Sequence, residues 1–68
     1  MDKRYGVYKV FVEEDSIDKW FWGEWTDANK ANEVALKLRN DGFITEVIEF
    51  EQAEPLPKHI SFKRGGSL

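Results

Sequence analysis

The alternation of hydrophobic and polar positions predicts three β-strands before any other feature is considered. β-branched and aromatic residues recur along 5–13, 18–25 and 43–50, which is typical of strands. The polar break at 14–16 is too short for the crossover that a parallel pair requires, so the first two strands are predicted to be antiparallel. Aromatic residues are densest in the second strand, which reads Trp-Phe-Trp-Gly-Glu-Trp over residues 20–25.

After the second strand, the hydrophobic period changes to that of one amphipathic helix, predicted over about 27–41. Thr26 is predicted to be the N-cap, and Gly42 is predicted to end the helix in the left-handed conformation. Three residues on the apolar side are alanines, and such small side chains let a helix approach a sheet that carries large rings. The apolar stripe consists of Ala28, Ala31, Val34, Ala35 and Leu38.

The predicted order is therefore β-β-α-β, and a short fourth strand at about 59–63 would extend it. The fold class is small two-layer α+β, with one helix packed on a three- to four-stranded sheet. Pro55 and Pro57 interrupt regular structure. Residues 1–54 are thus predicted to form the compact domain, and 55–68 a C-terminal extension that ends in a flexible tail. If the second and third strands are parallel, the first lies either between them or on the outer side of the second.

One helix covers only one face of a sheet, and the side chains of a strand alternate between the two faces. In the second strand we assign Phe21, Gly23 and Trp25 to the helix side. Trp20 and Trp22 then lie on the opposite face and form an exposed aromatic patch. Patches larger than roughly a few hundred Å² on a monomer usually mark an interface. Two alternatives are open: the C-terminal segment folds back over this face, or the face binds a partner.

Composition narrows the classes of function. The 68 residues include no cysteine and one histidine, so disulfides and thiolate metal sites are excluded. The protein is acidic, with a net charge of −3. Residues 13–51 contain eleven acidic and four basic side chains, whereas both ends of the chain are basic. A general nucleic-acid binder needs a cationic face, and a membrane span needs roughly 20 apolar residues. With neither feature and no recognisable signal peptide, we expect a cytoplasmic protein that does not bind membranes, and general nucleic-acid binding is disfavoured.

Candidate chemistry is sparse. His59 is the only imidazole, and without cysteine or a second histidine it completes no catalytic triad. Carboxylates cluster around the first turn, and such oxygens suit hard cations, but their spacing does not match the calcium loop and lacks its glycine. A weak metal site or an enzyme at this turn is therefore only an alternative, and we infer no cofactor and no small-molecule ligand. The acids in question are Glu13, Glu14, Asp15 and Asp18.

Residues 23–26, the alanine-bearing helix and Asp41-Gly42-Phe43 resemble half of a peptidoglycan-binding SPOR repeat. In that repeat a glycine, an aromatic residue and a cap precede the helix, and a glycine leads the next strand. The same stretch is similar to the strand–helix junction of a class of DNA-binding domains that read DNA with a sheet. The resemblance covers less than half of the chain: SPOR domains have a second helix, for which 12–20 leaves no room, and this sheet lacks the basic residues that read DNA. It assigns no site residues.

These observations favour a small, non-enzymatic protein-interaction module. Its partner is predicted to be another protein or a second copy of this chain, and the interaction face to comprise Trp20, Trp22, Phe11 and Lys9. Single-stranded nucleic-acid binding through the same rings is an alternative, because bases stack on aromatic side chains. That alternative is disfavoured, since such sites interleave lysine and arginine, whereas acids surround these rings.

Overall fold

A computed structural model describes residues 3–63 and confirms the predicted small α+β fold class. Four strands and one helix follow one another in the order β-β-α-β-β. The predicted flexible tail, at 64–68, lies outside the described residues. The elements are β1 (Lys3–Val12), β2 (Ser16–Trp25), α1 (Ala28–Asn40), β3 (Ile44–Glu51) and β4 (His59–Lys63).

The four strands form one sheet in the order β3-β1-β2-β4, and every neighbouring pair is antiparallel. β1 therefore lies between β2 and β3, which is one of the two arrangements that the sequence allowed. Because β2 and β3 both run antiparallel to β1, they are parallel to each other, and α1 connects them across β1. β4 is the short edge strand predicted at 59–63, and it pairs with the outer side of β2.

The N-terminal end of α1 differs from the prediction by one residue. Asp27, not Thr26, is the N-cap: its backbone is extended, and its carboxylate accepts a hydrogen bond from the N–H of Asn29 at 2.9 Å. An aspartate at this position satisfies one of the free amides of the first turn and also places negative charge at the positive end of the helix dipole. Thr26 therefore lies one residue before the helix boundary.

The C-terminal end of α1 follows the prediction. Gly42 has a φ of +101°, the left-handed conformation that a residue without a Cβ adopts at low cost. Its N–H donates to the carbonyl of Arg39 at 2.9 Å, and the N–H of Phe43 donates to the carbonyl of Leu38 at 3.0 Å. This pair of bonds is a Schellman motif, which satisfies two carbonyls at the helix end. The motif also fixes where the chain leaves the helix, and so where Phe43 lies.

The helix packs on one face of the sheet, mainly against β3 and β1. Ala31 is fully buried and Ala35 nearly so, which places the predicted small side chains at the contact with the sheet. The core beneath the helix is built from Val7, Ala31, Ala35 and Leu38, flanked by Tyr5, Trp25, Val34 and Val47.

A β-bulge in β2 changes which side chains face the helix. Val7 of β1 lies opposite Gly23. The next residue, Tyr8, lies opposite Phe21, so Trp22 is an extra residue in β2. Because Val7 belongs to the helix-side core, Tyr8 and its partner Phe21 face away from the helix. The prediction that placed Phe21 on the helix side was therefore wrong, since a bulge interrupts the strict alternation of a strand.

The two tryptophans predicted for the helix-free face lie on the helix side instead. The hydroxyl of Thr45 donates to the carbonyl of Ala35 at 3.3 Å, so Thr45 faces the helix. Lys9 lies opposite Thr45, and Trp20 lies opposite Lys9 on the next strand. Trp22, the extra residue of the bulge, comes to the same side, and its ring contacts Lys9. Both tryptophans thus share the face of the helix but lie beside it.

The opposite face has a cover of its own, the strap (residues 52–58) that connects β3 to β4 across the sheet. Arg4 donates to the backbone carbonyls of Gln52 and Glu54, which holds the start of the strap against β1. The hydroxyl of Tyr8 donates to the carbonyl of Pro57 at 2.7 Å, which holds its end. The C-terminal segment therefore folds back over the middle of the helix-free face, where Tyr8 is completely buried, but it does not cover Trp20 and Trp22, which the prediction had placed on that face.

Candidate functional site

One row of neighbouring side chains crosses the whole sheet on the helix side. It runs from Thr45 in β3 through Lys9 in β1 and Trp20 in β2 to His59 in β4, each directly opposite the next. At the usual strand spacing the row is about 14 Å long. The helix reaches only its β3 end, where Arg39 donates from Nε to the hydroxyl of Thr45 at 3.0 Å. The helix does not extend over the rest of the row.

The ammonium group of Lys9 lies between two aromatic rings. Its Nζ is 3.8 Å from the ring centre of Phe43 and 4.2 Å from that of Trp22. Both distances suit a cation–π interaction, in which the negative face of a ring attracts the positive charge. Two features of the fold bring the rings there: the bulge in β2 turns Trp22 toward Lys9, and the turn at Gly42 places Phe43 on the other side.

Trp20 is held by a stack on β4. Its ring lies parallel to that of His59, with centres 3.9 Å apart and an interplanar angle of 7°. His59 Nε2 is 2.8 Å from Oδ1 of Asp18, two residues before Trp20 on β2. This hydrogen bond, with smaller contributions from Ser61 and Ser16, lowers the pKa of Asp18 below its ordinary value of 3.8. The carboxylate therefore anchors the imidazole that supports the indole.

Replacing Asp18 with asparagine is expected to destabilise the protein most at neutral pH. The native state favours the carboxylate, so its contribution is present above the ordinary pKa of 3.8 and is lost as the pH falls through the lowered value. The stability gap between wild type and Asp18→Asn should therefore close in acid. Urea unfolding across this range measures the gap. Asp15→Asn, the same change at an exposed position just before β2, is the control, and a gap that does not depend on pH would contradict the prediction.

The structure brings all four predicted interaction residues onto one face. Trp20 and Trp22 are 49 % and 51 % exposed and Phe11 is 41 % exposed, while Lys9 lies among them. Phe43 was not among the predicted interaction residues, although the helix end at Asp41-Gly42, which determines its position, is recognisable in the sequence. We call Phe11, Trp20, Trp22 and Phe43 around Lys9 the aromatic patch. Its face is that of the helix rather than the opposite one.

The acids near the first turn do not assemble into a metal site. Among residues 3–63, no group of three or more histidine, aspartate or glutamate side chains is placed to hold a metal ion. Asp18 points to His59 instead, and accepts a hydrogen bond from Ser16. The structure thus gives no support to the alternative of a carboxylate metal site at this turn.

A cleft of about 290 Å³ borders the aromatic patch where β1 continues past the start of β3. Phe11 and Phe43 belong both to the patch and to the wall of this cleft. The cleft therefore extends the apolar surface of the patch around the edge of the sheet. Its lining residues are Val10, Phe11, Val12, Glu13, Gly42, Phe43 and Ile44.

In the described part of the chain, no helix is long and apolar enough to cross a membrane. No protein-family model, no curated protein and no solved structure matches this chain.

Proposed function

We propose that this chain is a non-enzymatic protein-interaction module of the cytoplasm that binds a partner protein through the aromatic patch. The observation that supports it most is that two neighbouring tryptophans are each about half exposed, although the strap and the helix cover most other rings of the sheet. Tryptophan is enriched among the residues that carry the binding energy of protein interfaces. The patch offers rings and one ammonium group, which suit recognition rather than acid–base or nucleophilic chemistry.

The rings of the patch are preorganised. Trp20 is fixed by its stack on His59, and Trp22 by its contact with Lys9, and both belong to a paired strand rather than to a loop. Ordering a side chain on binding costs about 0.5–1.5 kcal/mol, and rings that are already held avoid most of that cost. A rigid apolar surface of this kind favours a protein partner with a complementary apolar surface.

The patch is less suited to single-stranded nucleic acid. Stacking sites accept a base against an open ring face, within a groove of positive charge. Here the ammonium of Lys9 fills the space between Trp22 and Phe43, so no base enters between these two rings. The net charge of −3 further opposes an approaching phosphate backbone.

A comparison of matched variants tests the proposal. The double variant Trp20→Ser/Trp22→Ser removes the exposed rings of the patch, and Leu36→Ser/Phe62→Ser removes two equally exposed apolar side chains elsewhere. Each protein is immobilised, proteins captured from a cell extract are identified, and binding of the purified candidate is measured directly. Sedimentation velocity of each variant measures self-association in parallel. We expect the tryptophan variant alone to lose the partner.

Two results would contradict the proposal. One is a capture pattern that is the same for wild type and the tryptophan variant, with wild type monomeric at every concentration. The other is a wild-type protein whose Trp20 and Trp22 fluorescence is shielded from a soluble quencher, because a patch that solvent cannot reach offers no surface to a partner.

A further inference from the structure

Two lysines lie over aromatic rings on opposite faces of the sheet, and only one of them has an acidic partner. On the face covered by the strap, Lys19 lies 5.1 Å from the ring centre of Phe62 and pairs with Glu46 at 2.6 Å. On the helix side, Lys9 lies over Trp22 and Phe43, and no carboxylate within residues 3–63 is at ion-pair distance from it. Lys9 thus contacts aromatic rings as Lys19 does, but within the described residues it lacks the carboxylate partner that Lys19 has.

The other two cations of β1 are also neutralised within the fold. Lys3 pairs with Glu49 at 2.9 Å, and Arg4 pairs with Glu24 at 3.3 Å. In a chain with more acids than bases, a lysine in the middle of the sheet without such a pair is an exception that needs a reason. The surroundings of Lys9 are rings, which screen a charge less than water does.

We propose that Lys9 receives a carboxylate of the partner, and that the partner segment carries an aspartate or glutamate flanked by aromatic or aliphatic side chains. This inference rests on the proposed function, because it names the chemistry of what the aromatic patch binds. The carboxylate accepts a charge-assisted hydrogen bond from the Lys9 ammonium. Its apolar neighbours pack on Trp20, Trp22 and Phe43, and exclude water from the ion pair.

Charge on the same row supports an acidic occupant. Arg39 lies next to Thr45, one strand away from Lys9, and its side chain is exposed. Arg39 has no carboxylate partner in the described residues either, and its guanidinium donates only to Thr45. Two cations therefore share one end of the row, although the chain as a whole is acidic.

The same charge disfavours a second copy of this chain as the occupant. A symmetric dimer places the same patch on both subunits around a two-fold axis. An axis through the centre of the aromatic patch would bring two Lys9 ammonium groups together, and the carboxylate of Asp18, opposite Phe11 on this face, is already engaged by His59. A partner of different sequence, which brings its own carboxylate, avoids this repulsion.

A pair of peptides that differ only in charge tests the inference. The probes are acetylated, amidated Asp-Phe-Asp-Leu and its neutral counterpart Asn-Phe-Asn-Leu, with oligothymidine as a nucleic-acid probe. Binding to the full chain is followed by NMR through the indole N–H signals of Trp20 and Trp22, and the signal of Trp25, in the helix-side core, is the internal reference. We expect the acidic peptide to bind about tenfold tighter than the neutral one, as one charge-assisted bond allows.

Variants assign the preference to Lys9. Lys9→Met keeps an apolar stem and removes the ammonium, and is expected to bind both peptides equally. Lys37→Met, the same change at an exposed position on α1, should keep the tenfold preference. Lys9→Gln repeats the measurement with a polar replacement, in case methionine disturbs the sheet.

The outcomes separate this inference from the proposed function. Equal binding of the two peptides to wild type, or a preference that persists in both Lys9 variants, would overturn the role of Lys9 while the rings still bind. Tighter binding of oligothymidine than of either peptide, or no binding of any probe, would also overturn it. The proposed function itself fails only if the capture and sedimentation comparison shows no effect of the two tryptophans.

Discussion

Replacing Tyr8 with alanine is expected to destabilise the protein by about 3–5 kcal/mol, the range for removal of a buried aromatic side chain. Tyr8 is completely buried although it faces away from the helix. Its ring lies edge-on to Phe21 at 5.7 Å and next to Phe50 at 6.4 Å, and its hydroxyl reaches the strap. Since single domains are stable by only about 5–15 kcal/mol, the loss would leave a protein of this size close to unfolding.

Tyr8→Phe separates the hydroxyl from the ring. This change leaves the carbonyl of Pro57 without its donor and is expected to cost about 1 kcal/mol. Burial, and then the charge of Glu24, raises the pKa of Tyr8 above its ordinary value of 10.0. Tyr8 therefore contributes stability below that value, and this contribution is lost as the pH rises toward the raised value. Tyr8→Phe should lack this alkaline loss.

Urea unfolding followed by circular dichroism measures both effects. Phe62→Ala is the control, because it removes an aromatic ring of similar size that is 51 % exposed on the same face of the sheet. We expect Phe62→Ala to cost far less than Tyr8→Ala. Equal losses in the free energy of unfolding for the two truncations would show that the strap does not form a core over Tyr8, and would contradict the packing described for this face.

The local elements of the fold could be predicted from the sequence because local patterns determine them. The period of the apolar residues gave one helix, observed at Ala28–Asn40, and Gly42 gave its end. The edge strand His59–Lys63 was also recognisable, although two prolines precede it. The N-cap was misplaced by one residue, because Thr26 and Asp27 are both good caps and only the backbone geometry distinguishes them.

The face of each aromatic residue could not be predicted by alternation alone. The extra residue at Trp22 shifts the alternation of β2 by one position. Phe21 and Gly23, which are two residues apart, therefore lie on opposite faces of the sheet instead of sharing one. The sequence did contain a signal: an isolated glycine within a strand pattern often marks a bulge. Alternation assigned Gly23 to the helix side but did not locate the bulge beside it.

The strap could not be derived from the sequence because its contacts are distant along the chain. Tyr8 and Pro57 are 49 residues apart, and no local period connects them. Gly6 is what makes the close approach sterically feasible, since a Cβ there would lie 2.9 Å from the ring of Tyr8 and 3.2 Å from Leu56. The sequence therefore indicated that the C-terminal segment is available to cover one face of the sheet, but it did not show which aromatic rings remain exposed.

The fold and the aromatic patch depend on the same helix. The helix end determines where Phe43 lies, and the contact of Arg39 and Ala35 with Thr45 connects α1 to the row of Lys9. A change that lifts the helix from the sheet should therefore also move one of the two rings that hold Lys9. Helix packing and binding are expected to respond together.

Replacing Ala31 with leucine is the change that should lift the helix. Ala31 has no exposed surface, and the core around it includes Val7 and the ring of Trp25. Adding three carbon atoms at a filled position forces side chains out of their preferred rotamers or shifts the backbone, which costs about 1–3 kcal/mol. Because α1 leads directly to Gly42 and Phe43, we also expect the ring of Phe43 to move away from Lys9.

Asn32→Leu is the matched control, since it introduces the same side chain at the next, exposed position of the helix. Leucine favours a helix more than asparagine does, so this variant should be as stable as wild type or slightly more stable. Urea unfolding measures the free energy of unfolding, and NMR chemical shifts of the Lys9 and Phe43 side chains report on their contact. If Ala31→Leu unfolds at the same urea concentration as Asn32→Leu and leaves these shifts unchanged, the helix does not depend on alanine for its distance from the sheet.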